Sequence, residues 1–369
     1  MNNTYCNIIK KGLFVSHQGV SLCCINPNKY QMSPSKFWYG EERKLALLQM
    51  EKNNKVKGCD RCYSAEESKI ASSRIFYNSY KDIPSKELPT MLDLDFSNFC
   101  NLKCIMCNPT RSSEWAKDEG KDVSTISKDL IDDLFSISKN VVQITIQGGE
   151  PSIMQEYEYY FELLEKADIA KNIDLQVITN VTNVNNRFYR LLESFKSVRL
   201  SVSIDAFGLA NNYIRWPSKF NQIEKNLIKI SELKTSVRVE ILNSLNILSM
   251  FNFKEFLEWC KKIEDIYQQK QRYFGLVPMK VISPVQYSPF IAPVSLKEKF
   301  IEDVNHFFKE NTLVGNSNFK TEMFLIIKHL KTSVTNDIAI KTLKEKIKYL
   351  DNQRKTDITN FIPNFYQYI

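Results

Sequence analysis

Strand-like and helix-like runs alternate along the chain from residue 91 onward, and this alternation restricts the possible folds most strongly. The strand-like runs are rich in β-branched residues, and the runs between them carry apolar residues at helical spacing. Strands separated by helices are typical of a parallel sheet built from βα units, whose functional groups lie at the carboxyl ends of the strands. The chain is therefore predicted to be an α/β protein. The six candidate strands are Met91–Phe96, Val141–Gln147, Asp174–Thr179, Val198–Ile204, Val237–Leu242 and Phe274–Ile282.

Three cysteines follow the first of these strands in a short polar loop. Cys100, Cys104 and Cys107 have the spacing Cys-x3-Cys-x2-Cys. Three thiolates this close in sequence can bind one iron–sulfur cluster and leave one iron without a protein ligand. A zinc site is the alternative, but zinc normally takes four protein ligands, so the fourth would have to come from elsewhere. An iron with an open position indicates a reactive site.

The spacing of these cysteines resembles the signature of the radical SAM superfamily. The resemblance implies a partial (β/α)6 barrel, a 4Fe-4S cluster on the three cysteines, and S-adenosylmethionine (SAM) on the open iron. It also implies that SAM is cleaved reductively to a 5′-deoxyadenosyl radical, which abstracts hydrogen from a substrate. The residue before the third cysteine is often aromatic in the superfamily, and here it is Met106, whose thioether can fill the same apolar role near the cofactor.

The second strand is followed by Gly148, Gly149 and Glu150. A glycine pair allows close backbone approach, and a carboxylate can accept from an ammonium group, although the same sequence is also a common β–α turn. The stretch resembles the superfamily's Gly-Gly-Glu-Pro motif, which implies contact with the SAM amino group. By the same resemblance, the later strand ends supply candidates for the SAM ribose and carboxylate, with a turn cap or a surface salt bridge as the alternative roles. These candidates are Asn180, Ser203, Asp205 and Arg215.

The first 80 residues contain five of the nine cysteines. Cys59 and Cys62 form a Cys-x2-Cys pair that suits one metal centre, with zinc or buried free thiols as alternatives to iron. The stretch from Cys59 to Arg74 resembles the twitch type of auxiliary-cluster domain, a shortened SPASM domain, as in phage and bacterial twitch-domain radical SAM proteins. This resemblance implies an auxiliary iron–sulfur cluster on Cys6, Cys59, Cys62 and one of two neighbours. Of Cys23 and Cys24, Cys24 is preferred because β alternation lets only one neighbour face the cluster.

Three parts of the chain are predicted. Residues 1–80 form a cysteine-rich α+β module that contains a hairpin of Gly12–Ser16 and Val20–Cys24. Residues 91–285 form the barrel, and residues 286–369 form a helical extension. The polar, proline-containing stretch 78–90 is the expected linker between the first two parts.

Composition and charge limit the partners. The chain has no apolar run near 18 residues and no signal-peptide pattern, so we expect a cytoplasmic protein with no membrane span. The net charge of +8 comes without a dense basic run, so nucleic-acid binding is not indicated. The resemblance implies a reductant such as flavodoxin or ferredoxin and, first, a peptide or protein side chain as substrate. A small molecule, nucleotide or sugar is the next alternative, and a non-catalytic iron–sulfur electron-transfer or metal-binding protein is the last.

Overall fold

Residues 4–79, 86–184, 186–233, 237–311 and 319–369 are described by the structure, which is a computed structural model. Their strands are β1 (Gly12–Ser16), β2 (Gly19–Ser21), β3 (Met91–Asp95), β4 (Gln143–Gln147), β5 (Asp174–Thr179), β6 (Ser197–Ser203), β7 (Val237–Leu245) and β8 (Phe274–Lys280).

Helices connect and cover these strands. The α-helices are α1 (Asn7–Lys11), α2 (Pro34–Tyr39), α3 (Glu41–Glu51), α4 (Asp60–Glu67), α5 (Ser73–Ser79), α6 (Ser113–Asp118), α7 (Lys128–Ser136), α8 (Gln155–Lys166), α9 (Asn186–Leu192), α10 (Gly208–Ile214), α11 (Phe220–Ile230), α12 (Phe253–Gln269), α13 (Val294–Glu310), α14 (Phe319–Thr332), α15 (Asp337–Arg354) and α16 (Phe365–Tyr368). Short 3-10 helices lie at Ser138–Asn140, Pro151–Ile153, Ala170–Asn172, Ile247–Asn252, Val285–Tyr287, Pro289–Ile291 and Ile358–Asn360.

The described residues form two compact units. The first comprises residues within 1–101, 109–178 and 185–198, and the second comprises residues within 102–108, 179–184 and 199–369. In the first unit the strand order is β2-β1-β3-β4-β5. The β1–β2 pair is antiparallel, which confirms the predicted hairpin, and every other pair in this unit is parallel.

The two faces of the sheet in the first unit differ in polarity. In β4, Ile144 and Ile146 are fully buried, whereas the alternate residues between them are polar, as a period of two dictates. Tyr157 of α8 packs beneath the sheet and donates its hydroxyl to the carbonyl of Gln147 at 2.6 Å. The apolar face is therefore covered by helices, and the opposite face carries Thr145 and its polar neighbours.

The strand β1 lies parallel to β3, so the hairpin near the amino terminus extends the sheet of the first unit. The predicted boundaries of the three parts stay predictions, and residues 80–85 of the expected linker lie outside the described residues.

The second unit contains β6, β7 and β8 in that order, with β7 and β8 parallel. Helices α13, α14 and α15 follow β8. Phe253 of α12 packs against Phe300 of α13, with ring centroids 4.9 Å apart. This contact anchors α13 to the helix before β8.

The prediction of an α/β protein is confirmed, because all six candidate strands form and helices separate them in sequence. The largest difference is at the carboxyl end of β7, which continues to Leu245, and smaller ones are the start of β4 at Gln143 and the end of β8 at Lys280. Within the described part of the chain, no helix is both long enough and apolar enough to cross a membrane.

Candidate functional site

The backbone around Cys100, in the first unit, is fixed by two polar side chains. The Ser113 hydroxyl accepts from the Cys100 amide and donates to the Cys100 carbonyl, both at 3.1 Å. Asn98 accepts from the Ser124 amide at 2.9 Å and donates to the Pro109 carbonyl at 3.0 Å. The cysteine therefore has a fixed place after β3, where the sequence predicted a functional loop.

Residues 102–108 belong to the second unit and carry Cys104 and Cys107. Their backbone pairs with the segment after α10, since the Lys103 amide donates to the Trp216 carbonyl at 2.6 Å. The Cys107 amide closes a turn on the Cys104 carbonyl at 3.1 Å. The segment after α10 is also the one that carries Arg215, a predicted cofactor residue.

Arg215 forms a buried ion pair with Asp205 close to Cys104. The Arg215 Nε lies 2.8 Å from Asp205 Oδ2, and its Nη2 donates to Oδ1 at 3.0 Å. The Ser244 amide also donates to Asp205 Oδ1, at 2.9 Å. Burial raises the pKa of the Cys104 thiol to about 12, and the positive charge of Arg215 acts in the opposite direction. Three predicted residues, Cys104, Asp205 and Arg215, are thus brought together in the second unit.

The glycine turn after β4 packs tightly on the chain that leads to Cys100. Gly148 has a φ of +124°, a conformation that favours glycine. A Cβ added to Gly149 would lie 2.0 Å from the Phe99 carbonyl oxygen. Glu150 is buried and accepts from the Ser152 amide at 3.1 Å, so it caps the short helix that follows.

Two buried acceptors near these residues have no hydrogen-bond partner in the part of the chain that the structure describes. In the first unit, Asp95 Oδ1 lies where a Cβ on Gly148 would approach to 2.7 Å, and the other carboxylate oxygen pairs with Arg111 at 2.5 Å. In the second unit, Asn243 Oδ1 is unpaired while its amide nitrogen donates to the Asp205 carbonyl at 2.8 Å. Each of these unpaired buried acceptors can accept a hydrogen bond from water or from a ligand.

The sequence reasoning missed Asp95 and Arg111. Asp95 is the last residue of β3, and a charged residue at the carboxyl end of an interior strand was a readable signal. Arg111 carried no such signal, because its role depends on how the loop folds back to β3.

The remaining predicted cofactor residues lie apart in the second unit. Asn180 accepts from the Thr182 amide at 2.9 Å and so caps a turn at the end of β5. Ser203 is the last residue of β6 and is half-buried, as is Met106 in the cysteine loop. Their roles toward a cofactor stay predictions.

Four cysteines of the first unit line one cavity. They are Cys6, Cys23, Cys59 and Cys62. Burial raises the pKa of both Cys6 and Cys59 to about 12, and neighbouring thiols add to the effect. The Asn26 side chain lies 3.9 Å from Cys59 Sγ, within range of a weak hydrogen bond to sulfur.

Cys23 lines this cavity and Cys24 does not, and the strand alternation on which the preference for Cys24 over Cys23 rested is wrong. The strand β2 ends at Ser21, so the two cysteines lie in a turn and strand alternation does not apply to them. The Cys24 sulfur instead lies 3.8 Å from the Tyr77 hydroxyl, and burial together with the nearby Asp93 carboxylate raises the pKa of the Cys24 thiol.

No three His, Cys, Asp or Glu side chains within the described ranges converge as ligands of a single metal ion. The four cysteines that line the cavity of the first unit carry thiols, and thiolates are the usual ligands of iron–sulfur clusters.

Comparison with known proteins shows a likeness to one superfamily over part of this chain. Residues 94–263 match the model of the Radical SAM superfamily. A GTP 3′,8-cyclase from Campylobacter curvus is 21% identical over 168 residues, which cover 45% of this chain and 51% of that protein. The match thus spans about half the length of this curated relative.

Two solved structures show weaker likeness. Streptococcus suis SuiB bound to S-adenosylmethionine has a TM-score of 0.40 and 15% identity, covering 75% of this chain and 60% of SuiB. The anSMEcpe structure with bound AdoMet has a TM-score of 0.40 and 18% identity, covering 63% of this chain and 62% of anSMEcpe. Likeness at this level does not extend to substrate or reaction.

Residues 94–263 are therefore the part of the chain that matches the radical SAM superfamily. This part contains Cys100, Cys104 and Cys107.

Proposed function

We propose that the protein cleaves SAM reductively to a 5′-deoxyadenosyl radical and abstracts hydrogen from a substrate, most favourably a peptide or protein side chain. The observation that carries this proposal is the Cys-x3-Cys-x2-Cys loop after β3, inside the matched domain. A partial (β/α)6 barrel would place this loop and the later strand ends at one working face. Cys100, Cys104 and Cys107 would hold the cluster, which would supply the electron for SAM cleavage, and bound SAM would supply the radical.

The residues of the chain position and shield this chemistry. Gly148 and Gly149 let the turn after β4 pack closely on the chain that leads to Cys100, and the unpaired Asp95 Oδ1 would accept from the ammonium group of SAM. Arg215, held by Asp205, places a buried positive charge beside Cys104. A positive charge next to a cluster thiolate favours the reduced, more negative cluster.

The decisive experiment measures 5′-deoxyadenosine after anaerobic reconstitution with iron and sulfide and reduction in the presence of SAM. The wild-type protein should form 5′-deoxyadenosine, whereas Cys100→Ala should form none above background. Equal product from both would refute the proposal, and a non-catalytic iron–sulfur or metal-binding protein would then be the better assignment.

We further propose that Cys6, Cys23, Cys59 and Cys62 hold an auxiliary iron–sulfur cluster. The shared cavity and the Cys-x2-Cys pair support this set. Iron and zinc should be counted in a variant with Cys100, Cys104 and Cys107 all changed to Ala. Residual iron that disappears on adding Cys59→Ala supports the cluster, zinc in its place supports the zinc alternative, and no metal removes the second site.

A peptide substrate is favoured by the resemblance of the Cys59–Arg74 stretch to domains found mostly in enzymes that modify peptides and proteins. The Campylobacter curvus relative, whose name states an action on GTP, keeps a nucleotide or other small molecule as the second candidate. The electron donor is proposed to be a flavodoxin or ferredoxin, and the reaction is placed in the cytoplasm, where cysteines stay reduced.

A further inference from the structure

A second cavity in the first unit, of about 230 Å³, is lined by the polar face of the sheet. The strand register puts Asp93, Thr145 and Gln176 side by side on β3, β4 and β5. Gln143 and Gln147 flank Thr145 along β4. Amide, hydroxyl and carboxylate groups therefore form one continuous surface inside the unit.

Part of this surface has no protein partner. Among the described residues, the side chains of Gln143 and Thr145 make no hydrogen bond, whereas Gln147 donates to Asp93 Oδ1 at 2.8 Å. Polar groups in a cavity are satisfied by water or by a ligand. An amide and a hydroxyl each donate and accept, which matches the paired donor and acceptor of a peptide bond.

Cys24 forms part of the wall of this polar cavity. Cys24 and Asp93 line the same cavity, whereas the other four cysteines of this segment line a different one. Tyr77 lines both cavities and lies 3.8 Å from Cys24 Sγ. The one cysteine of this segment that faces away from the proposed cluster thus faces the space where a ligand fits.

We propose that Cys24 is a hydrogen-atom donor to a carbon radical on a peptide substrate bound in the polar cavity. This inference rests on the proposed function, which supplies the substrate radical. In the step, a C–H bond forms on the substrate and the S–H bond of Cys24 breaks, which leaves a thiyl radical. One electron from the flavodoxin-class or ferredoxin-class donor and one proton returned through Asp93 restore the thiol.

The balance of this step defines the reaction class. The substrate loses one hydrogen atom and regains one, so its oxidation state does not change. The new hydrogen originates from the exchangeable thiol and therefore from solvent. An inversion or isomerisation at carbon fits this balance, whereas a net oxidation of the substrate does not.

The first test needs no turnover. Iron and sulfide are measured in reconstituted Cys24→Ala and Cys23→Ala proteins, with far-UV circular dichroism to check folding. Cys24→Ala should hold as much iron as the wild type, whereas Cys23→Ala should lose the iron of the auxiliary site. Equal iron loss in both variants would make Cys24 a ligand and overturn the inference.

The second test uses SAM alone as the probe, in D₂O without added substrate. Radical quenching by the Cys24 S–D group should place deuterium in 5′-deoxyadenosine, and Cys24→Ala should reduce that enrichment at least tenfold. Cys260→Ala, which removes a thiol buried in α12, serves as the matched control and should keep the enrichment.

The results separate the two proposals. Undiminished deuterium in Cys24→Ala, or unlabelled product from the wild type, overturns the role of Cys24. Absence of 5′-deoxyadenosine from every protein, including the wild type, contradicts the proposed function instead.

Discussion

Gly149 has no space for a side chain, because a Cβ there would lie 2.0 Å from the Phe99 carbonyl oxygen. The same carbonyl accepts from the Glu150 amide at 2.8 Å, so the backbone cannot move away without losing that bond. The turn after β4 can therefore pack closely on the chain that leads to Cys100 only because residue 149 has no Cβ.

Gly149→Ala should destabilise the protein by about 1–3 kcal/mol through overpacking and should lower iron retention at the loop. Urea unfolding and iron content measure the two effects. Gly120→Ala is the comparison, since a Cβ at Gly120 meets no atom within 4 Å and only the positive φ of 64° opposes it. If Gly149→Ala costs no more than Gly120→Ala, the turn has room to adapt.

The ion pair of Arg215 and Asp205 makes opposite predictions for single and double substitution. Arg215→Gln leaves the fully buried Asp205 carboxylate without its cation and should cost about 3–5 kcal/mol. The double variant with Asp205→Asn removes both charges and should recover part of that loss. Chemical denaturation of the iron-free wild-type, single-variant and double-variant proteins gives the four free energies of unfolding of a double-mutant cycle. If the double variant loses as much stability as the two single variants together, the two residues act independently.

At the scale of elements, helix α15 reaches the cysteine loop through its last residue. Arg354 donates to the Lys103 carbonyl at 2.9 Å and to the Tyr213 carbonyl at 2.9 Å. Its guanidinium also lies 5.5 Å from the centre of the Trp216 ring. The carboxyl-terminal helix therefore holds, within the second unit, both the loop next to Cys104 and the segment that carries Arg215.

Arg354→Gln should weaken iron retention and lower the reduction potential of the cluster, because it removes a positive charge and two donors from the loop. Arg354→Lys keeps the positive charge but not the planar guanidinium that donates to two carbonyls. It should therefore keep the reduction potential close to that of the wild type while still weakening iron retention. Potentiometric titration followed by electron paramagnetic resonance measures this. Lys355→Gln, an equal charge change at the next, exposed residue, should leave the potential unchanged; a shift equal to that of Arg354→Gln would mean that only net charge matters.

Sequence patterns predicted the strands and helices more accurately than they predicted the contacts between residues. The six strands of the α/β domain follow from period and composition, which are local properties. The preference for Cys24 assumed a strand through residue 24, but the chain turns after Ser21. The contact of Arg354 with Lys103 joins residues 251 positions apart, and no local pattern encodes such a pair.

At the scale of the whole molecule, iron-free and iron-loaded protein should respond differently to pH. Burial raises the pKa of Cys6 from its ordinary value of 9.0 to about 12. Between these values the unfolded chain has lost the proton that the folded chain keeps. The contribution of the Cys6 thiol to the free energy of unfolding is therefore complete below pH 9 and declines as the pH rises toward 12. At pH 10 the free energy of unfolding should be lower by about 1 kcal/mol because of this thiol.

Urea unfolding of the iron-free protein at several pH values should show this decline, and Cys6→Ala should show a shallower one. Iron binds the thiolate and releases its proton, so the loaded protein should lack this part of the pH dependence. Identical slopes for wild-type and Cys6→Ala proteins would remove Cys6 as the source.

The parallel pairing of β1 with β3 has a consequence for how the protein can be divided. A fragment that begins at residue 86 would keep every residue of the matched domain, yet it would expose the hydrogen-bonding groups of β3 along one side. Unpaired strands of this kind recruit strands from other chains and promote aggregation. Amino-terminal shortening, fusion or exchange of the cysteine-rich segment should therefore preserve Gly12–Ser16, whatever is done to the cysteines around it.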